Sequence, residues 1–351
     1  MSNFSRLERF ALVAVSAATA LAGLAHYAHW TAVLAFALAT LSLAGLAWIV
    51  AIATEQVGER LGPAATGLLQ SSVGNLPELF VVIFALRAGE LVVAQSAIVG
   101  SLFANALLVL GIVLVTGAAR RGAGGVMRFD PRLARDTATL LFICLFIIVL
   151  VGISLSAGGS VAHHTGTISV IAAALLLAVY LAWIIPHVRG EQRPPAAAPR
   201  IGLALATVLL VVAGGGSAFV SDWFVDALEP AITQLHISQA FAGLVIVAIA
   251  GNAVENAAGV SLAAKGQSDL AISVVVSSVA QIAAFLFPLL VIVSLALSTH
   301  LTFALPPLYI GALAVSAITV WQITEDGEAR AFEGWALAAI YAILAIITLY
   351  E

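Results

Sequence analysis

The sequence predicts an all-α membrane protein with about eleven transmembrane helices. Three observations lead to this fold class. Hydrophobic residues make up 62% of the 351 residues and charged residues only 9%, a composition far from that of soluble domains. Runs of about 20 apolar residues, the length that crosses a bilayer as a helix, follow one another along the chain. Nearly all of the basic residues can be placed on one side of a membrane.

The apolar runs set the boundaries of the predicted helices. They are too long and too rich in Ala and Leu for barrel strands, which alternate over about ten residues. No polar stretch is long enough for a sizeable soluble domain. The predicted spans are residues 10–25, 31–53, 65–86, 91–116, 137–157, 167–187, 201–220, 239–263, 269–297, 303–322 and 333–350.

The distribution of Lys and Arg predicts the orientation in the membrane. With a cytoplasmic N-terminus, thirteen of the 14 basic residues fall on the cytoplasmic side and Arg87 alone on the other. Such an asymmetry is what the positive-inside rule requires. We therefore expect the N-terminus inside and the C-terminus outside. The simplest role for the arginine cluster within residues 120–135 is to determine this topology.

Two similar polar motifs lie deep within apolar spans. The first is GNLPEL at residues 74–79 and the second is GNAVEN at residues 251–256. They fall in the third and eighth spans, so the two motif helices should run in opposite directions across the membrane. Spans two to six and seven to eleven then form an inverted repeat. Secondary transporters commonly have such repeats, with the substrate site at the repeat interface.

The repeat divides the chain into four parts. We expect an extra N-terminal transmembrane helix in residues 1–30 and the first five-helix repeat in residues 31–188. A basic, Pro-rich cytoplasmic linker, residues 189–200, leads to the second repeat in residues 201–351.

Polar residues of the motif spans, and of the spans that follow them, are spaced to share one helix face. In each motif the Asn and the Glu are three residues apart, and in each following span a Ser lies four residues before an amide. The residues predicted in this way are Asn75, Glu78, Asn252, Glu255, Ser101, Asn105, Ser277 and Gln281.

Three further motif residues predict interrupted helices. Pro77 has no N–H to donate and separates the carbonyl of Val73 from helical hydrogen bonding, so this oxygen becomes available as a ligand. Gly74 and Gly251 permit the helix to loosen and a neighbour to approach closely. All the predicted ligands are oxygen donors, which hard cations such as Ca²⁺ prefer, whereas zinc or copper favours imidazole or thiolate. A hard cation is therefore the expected substrate, and no bound cofactor is expected.

The two glutamates predict the mechanism. A carboxylate near the bilayer centre costs at least about 2.5–3.5 kcal/mol, and desolvation favours its neutral form. Because two protons or one divalent cation neutralise Glu78 and Glu255 equally well, the two loads compete for one site, and alternating access makes the protein an antiporter. The alternative for each glutamate is a protonated carboxyl that joins helices. The amides and hydroxyls could likewise serve only in interhelical hydrogen bonds.

These residues resemble those of the cation/proton exchangers of the calcium/cation antiporter superfamily, whose paired repeats contain Gly-Asn-x-x-Glu motifs. The likeness extends over nearly the whole chain, through GNLPEL and GSLFANALLVLG in the first half and GNAVEN and SSVAQIAAFLFP in the second. The resemblance implies Ca²⁺/H⁺ antiport, with Glu78 and Glu255 as the alternating proton and cation sites. The polar helper positions that it implies are Asn75, Asn252, Ser101, Asn105, Ser278 and Gln281.

Three features depart from the family pattern. Many members have His after the second glutamate, where this chain has Asn256, and Pro77 replaces a small residue. The linker between the halves is basic, whereas members often carry an acidic helix there. Sodium/calcium or sodium/proton exchange therefore stays open as an alternative, and a cation channel is a third hypothesis.

The sequence also bounds the remaining properties. HExxH, GxSxG and a phosphate-binding loop are absent, so we do not expect an enzyme. The expected partners are membrane lipid and an inorganic cation, without nucleic acid, and the oligomeric state is left open. The short chain with tight loops suggests a bacterial inner membrane.

Overall fold

The computed structural model describes residues 6–61, 74–122, 125–158, 160–190 and 201–351, with the backbone alone at positions 7, 55, 58–61, 187–190, 254 and 255. Within these ranges the chain is almost entirely helical, so the predicted fold class is confirmed. Helices suit such an apolar sequence because each backbone N–H finds its carbonyl partner within the same segment.

The first half is a series of helices that breaks near the first motif. Its helices are α1 (Arg6–Tyr27), α2 (Ala32–Leu61), α3 (Leu76–Ala88), α4 (Leu91–Phe103), α5 (Leu110–Ala119), α6 (Pro131–Ala157) and α7 (Thr165–Gly190). A π-helical turn, Ala104–Val109, joins α4 to α5 in one span, and a 3-10 turn, Ser160–His164, precedes α7.

The second half has a similar order of elements. Its helices are α8 (Leu203–Leu235), α9 (Gln239–Phe241), α10 (Ala248–Gly251), α11 (Ala253–Ala264), α12 (Ser268–Gln281), α13 (Phe287–Val293), α14 (Pro307–Thr324) and α15 (Ala331–Leu349). Two π-helical turns join α9 to α10 and α12 to α13, at Ala242–Val247 and Ile282–Leu286. A 3-10 turn, Ser294–Ala296, follows α13.

The helices agree with most of the predicted membrane spans. Nine helical segments of the described ranges are long and apolar enough to cross a membrane, or up to ten if the bent pair Gln239–Gly251 and Asn256–Ala264 forms one span. These segments fall on ten of the eleven predicted spans. The third predicted span, residues 65–86, lies partly outside the described residues. The total of eleven therefore stays a prediction.

Several helix boundaries differ from the prediction. Helix α2 continues to Leu61 instead of ending at residue 53, and α6 begins at Pro131 instead of residue 137. Helix α8 continues to Leu235, well beyond the predicted end at residue 220.

Helix α14 begins at Pro307 instead of residue 303, because a residue that precedes proline is held in an extended conformation. The preceding residues are not helical and every second one is buried. Phe303 is fully buried, and its N–H donates to Ser169 Oγ at 3.2 Å.

A short antiparallel ribbon connects the two halves at one end of the molecule. Strand β1 (Val126–Arg128) pairs with β2 (Glu328–Arg330), with Met127 opposite Ala329. Arg128 Nε lies 3.0 Å from Glu328 Oε1. Nearby, Arg135 Nη2 donates to the carbonyl of Glu325 at 2.6 Å. The arginine cluster thus makes contacts between the halves that the topology prediction did not include.

Small residues allow the central helices to approach closely. A side chain at Gly100 of α4 would collide with the backbone of Leu244, in the π-helical turn before α10. Gly111 of α5 and Gly334 of α15 similarly face each other's carbonyls. Helix α2 packs along α8, α3 packs against α8, and α11 packs against α5 and α12. This packing buries Asn75, Pro77 and Glu78 of the first motif and Asn252 of the second.

Candidate functional site

The first motif forms the N-terminus of helix α3. Asn75 occupies the N-cap position with φ −94° and ψ 18°, and Pro77 and Glu78 lie in the first turn. Proline in the first turn loses no helical hydrogen bond, because the N–H at that position has no partner within the helix. Pro77 therefore begins a helix here. Val73, whose carbonyl is a predicted ligand, lies outside the described residues, and Gly74 forms a turn.

The second motif has nearly the same backbone. Asn252, with φ −105° and ψ 16°, separates α10 from α11, and the Gln239–Gly251 and Asn256–Ala264 segments are bent by 57°. The carbonyl of Asn252 accepts from the N–H of Asn256 at 3.0 Å, as the carbonyl of Asn75 accepts from Leu79 at 2.9 Å. The two motifs thus share a local structure as well as a sequence pattern.

Glu78 lies buried beside the second motif. It is 1% exposed, and a Cβ built on Gly251 would lie 3.6 Å from the Cβ of Glu78. The N-terminus of a helix favours negative charge in its first turn. Leu43 of α2 and Phe224 of α8 help to line a small apolar cavity next to Glu78. The carboxyl is therefore placed where the two motifs meet, in surroundings that disfavour an uncompensated charge.

The backbone of Glu255 lies in the first turn of α11, the position that corresponds to Glu78 in α3. Its side chain lies outside the described part of the chain. The two glutamates therefore occupy equivalent backbone positions in the two motifs. The pairing of their carboxyl groups stays a prediction.

Asn252 is the centre of a buried hydrogen-bond network between the halves. Its Oδ1 accepts from Asn105 Nδ2 at 3.0 Å, and its Nδ2 donates to Ser101 Oγ at 3.0 Å and to the carbonyl of Ala248 at 3.0 Å. Asn105 Nδ2 also donates to the carbonyl of Ser101 at 3.0 Å. The structure thus brings together three of the residues predicted from spacing. Within the described residues, Asn105 Oδ1 has no hydrogen-bond partner.

The corresponding residues on the other side of the site are not joined in this way. Asn75 and Ser278 are both buried, and among the described residues Asn75 Nδ2 and Ser278 Oγ have no hydrogen-bond partner. Ser277 and Gln281 lie on the same helix, α12, and are half-buried. Buried polar groups are normally paired, so this side of the site has unused hydrogen-bonding capacity.

Sequence patterns did not predict the π-helical turns that follow these polar residues. The turn Ala104–Val109 contains Asn105, and the turn Ile282–Leu286 begins directly after Gln281. A π-helical turn shifts the direction of the side chains around it and is often found at functional sites. Composition and spacing carry no signal for such a turn, because its residues, Asn105 apart, are the same apolar types as in the flanking helices.

A further polar contact lies at one end of the site helices, where Glu90 occupies the short connection between α3 and α4, outside the membrane-spanning segments. Gln239 Nε2 donates to Glu90 Oε2 at 2.7 Å and links the start of α9 to the start of α4. Burial and the nearby carboxylate of Glu229 raise the pKa of Glu90, while the hydrogen bond from Gln239 lowers it. The net effect is a raised pKa.

Half-helices that start at buried polar groups, within a helical membrane protein, are typical of secondary transporters. The particular family follows from comparison of the sequence with known families. The chain belongs to the sodium/calcium exchanger protein family, which matches residues 31–186 and 205–350.

Several characterised proteins are similar over most of the chain. The Ca²⁺/H⁺ antiporter of Synechocystis sp. is 32% identical over 335 residues, which cover 89% of this chain and 89% of that protein. The Ca²⁺/H⁺ antiporter ChaA of Bacillus subtilis is 32% identical over 323 residues, 89% of this chain and 90% of that protein. The vacuolar calcium ion transporter of Schizosaccharomyces pombe is 33% identical over 329 residues, 90% and 79% of the two chains.

Solved structures give the same fold. YfkE superposes with a TM-score of 0.83 and 27% identity, over 97% of this chain and 100% of that one. The H⁺/Ca²⁺ exchanger CAX superposes with a TM-score of 0.72, over 98% of this chain and 93% of that one. At 17% identity, the likeness to CAX concerns the fold alone.

Proposed function

We propose that the protein exchanges Ca²⁺ for H⁺ across a membrane. The observation that carries this proposal is the buried carboxyl of Glu78, in the first turn of α3 and beside Gly251 of the second motif. The names of the Synechocystis and Bacillus relatives support Ca²⁺ and H⁺ as the two exchanged ions. The protein is thus a secondary transporter and not an enzyme.

The chemistry of Glu78 and Glu255 provides the coupling. A carboxylate in apolar surroundings is stabilised by a proton or by a cation and is costly when it has neither. Ca²⁺ binds six to eight oxygen ligands, and two carboxylates neutralise its charge. Two protons neutralise the two carboxylates equally well, so bound protons and bound Ca²⁺ displace each other. If helix movements between the two access states require a neutral site, the two ion gradients become coupled.

The network around Asn252 refines the predicted ligand set. Asn105 Oδ1 has no hydrogen-bond partner among the described residues, so we assign this amide oxygen as a ligand. Asn252 Oδ1 accepts from Asn105 and keeps a second lone pair for a cation, so Asn252 both holds α11 to α4 and stays among the proposed ligands. The remaining proposed ligands are Glu78, Glu255, Asn75, Ser101, Ser277, Ser278, Gln281 and the carbonyl of Val73.

Transport measurements test the assignment directly. Ca²⁺ uptake into everted membrane vesicles under an imposed pH gradient should be abolished by Glu78→Gln and by Glu255→Gln. Each change leaves one acid that cannot neutralise a divalent cation alone. Asp326→Asn, at an exposed position in the loop before β2, is the matched control and should transport normally. Near-normal uptake by either glutamine variant would reject the site.

Sodium-coupled exchange is the second candidate, because the family includes sodium/calcium exchangers. It would give Na⁺-dependent Ca²⁺ flux that survives collapse of the pH gradient. A channel would conduct Ca²⁺ without any counter-ion. The same vesicles distinguish the three functions when Na⁺ and a protonophore are added separately.

We also propose the location and the arrangement in the membrane. The chain is an integral membrane protein with an inorganic cation as substrate, and the bacterial inner membrane remains the proposed location. We retain the four-part organisation into residues 1–30, 31–188, 189–200 and 201–351, with the N-terminus cytoplasmic. The similar backbones of the two motifs support the repeat.

A further inference from the structure

The two motif helices, α3 and α11, end in turns of the same type. Helix α3 is followed by Gly89 with φ 88°, and α11 is followed by Lys265 and then Gly266 with φ 80°. In each case the glycine N–H and the N–H of the next residue bind carbonyls in the last turn of the helix. The left-handed conformation makes this closure possible and favours glycine.

One carbonyl at each of these helix ends is bound by the opposite half of the chain. The carbonyl of Ala264, near the end of α11, accepts from Arg120 Nη1 at 2.6 Å. The carbonyl of Arg87, at the corresponding place in α3, accepts from Ser298 Oγ at 3.3 Å. Arg120 directly follows α5, and Ser298 follows α13 by a few residues. Each motif helix is thus capped by a residue that comes after the span next to the motif in the other half.

The two caps differ in strength. Arg120 offers a charged donor, and charge-assisted hydrogen bonds are shorter and stronger than neutral ones. Its guanidinium also covers Gly266, since a Cβ there would lie 2.9 Å from Arg120 Nε. A Cβ built on Gly89 meets nothing within 4 Å. The same loop makes a second contact, from the N–H of Asp130 to Asp269 Oδ1 at 2.8 Å.

Helix α11 is therefore attached at both ends to one span of the first half. Its N-terminal end is bound through Asn252 to Ser101 and Asn105, and its C-terminal end is bound to Arg120. The 15 steps along the chain from Asn105 to Arg120 correspond to roughly 22 Å at the rise of an α-helix, and the 12 steps from Asn252 to Ala264 to roughly 18 Å. The two lengths match closely enough for the helices to lie side by side.

We propose that Arg120 is a positioning residue for cation binding, a role that rests on the proposed function. By holding the C-terminal end of α11, Arg120 fixes the position of this helix along its own axis. Asn252 and the Glu255 backbone are thereby kept at the same depth in the membrane as Ser101 and Asn105. Loss of this attachment lets α11 shift along α5, and the oxygen ligands contributed by the two halves no longer meet at one point. Apparent Ca²⁺ affinity falls as a result.

The test compares neighbouring arginines in the same Ca²⁺ uptake assay, with rates normalised to the amount of folded protein. Arg120→Ala should raise the half-saturating Ca²⁺ concentration about five- to tenfold, the size expected when a charged hydrogen bond at an accessible site is lost. The maximal rate should change much less. Arg120→Lys keeps a charged donor and should restore most of the affinity. Arg121→Ala removes the same charge from an exposed neighbour and should leave affinity unchanged.

The outcomes separate the inference from the function on which it rests. Wild-type affinity in Arg120→Ala, or an equal loss in Arg121→Ala, would overturn the positioning role while exchange by the unaltered protein still supports the function. Absence of proton-driven uptake by the unaltered protein would overturn the function. If Arg120→Ala does not accumulate as folded protein, Arg120→Gln is measured in its place. We expect this variant to have an intermediate Ca²⁺ affinity, and an unchanged affinity would contradict the positioning role.

Discussion

Asn105 and Asn252, which come from opposite halves of the chain, share a side-chain hydrogen bond of 3.0 Å in the buried centre of the protein. Both residues are fully buried. The bond joins the π-helical turn after α4 to the break between α10 and α11. It makes the position of the second motif depend directly on the first half.

The Asn105–Asn252 bond predicts a graded loss of stability. Asn105→Ala leaves Asn252 Oδ1 buried without its donor, which costs about 1–3 kcal/mol. Ser101→Ala should cost less, because Asn252 Nδ2 still donates to the carbonyl of Ala248. Melting temperatures of the purified protein in detergent should fall in that order. An Asn105→Ala melting temperature equal to that of Ser101→Ala would contradict the network.

Close packing at Gly100 predicts a second loss of stability. A methyl group there would meet the backbone of Leu244, which cannot rotate away, so Gly100→Ala should destabilise the protein by about 1–3 kcal/mol. Gly215→Ala is the matched control. It lies in helix α8 with open space around it, and alanine favours a helix over glycine. Thermal unfolding should show a lower midpoint only for Gly100→Ala.

The raised pKa of Glu90 predicts a pH-dependent contribution to stability. Its cause is burial first and the charge of Glu229 second. A folded-state pKa above the ordinary value of 4.5 means that the folded protein binds this proton more tightly than the unfolded chain does. The stabilisation is therefore present below pH 4.5 and is lost as the pH rises through the pKa of Glu90 in the folded protein.

Glu90→Gln removes this titration while keeping an oxygen that can accept from Gln239. The melting temperature of the wild type minus that of Glu90→Gln should fall as pH rises from about 4 to 7. In a Glu229→Gln background the melting-temperature difference should depend less on pH, because the like charge that raises the pKa of Glu90 has been removed. A difference that is flat with pH would show that Glu90 has an ordinary pKa.

The predicted orientation can be tested with introduced cysteines, because Cys144, the one cysteine of the sequence, is buried. His300 and Asp326 are both exposed and lie on opposite sides of the membrane in the predicted topology. A membrane-impermeant maleimide added to intact cells should label His300→Cys. It should label Asp326→Cys only after the membrane is opened. The reverse pattern would invert the proposed topology.

The sequence predicted the helical membrane fold and the polar positions because both depend on residue type and spacing. Apolar runs of span length have few alternatives to helices in a membrane. The spacing of Ser101 and Asn105 likewise placed two hydrogen-bonding groups on one face, where both meet Asn252. What spacing did not reveal is which atoms pair and which, such as Asn105 Oδ1, remain available.

The unpredicted features depend on contacts between distant parts of the chain. Arg120 looks like one of several topology-determining arginines, and its bond to the carbonyl of Ala264 involves a backbone atom that every residue has. The pairing of β1 with β2 has the same origin, since three-residue strands carry almost no periodic signal. The π-helical turns differ from α-helix only in their hydrogen bonds, which packing decides.

The predicted linker between the two halves comprises residues 189–200. Strand β1 comes before this linker and β2 after it, so the ribbon would join two fragments made by dividing the chain there. Its pairing uses main-chain groups, which any amino acid other than proline supplies in full. Two separately synthesised fragments would be held together by this strand pairing in addition to their packed helices. We expect a working exchanger to assemble from such a pair when both are made in the same cell.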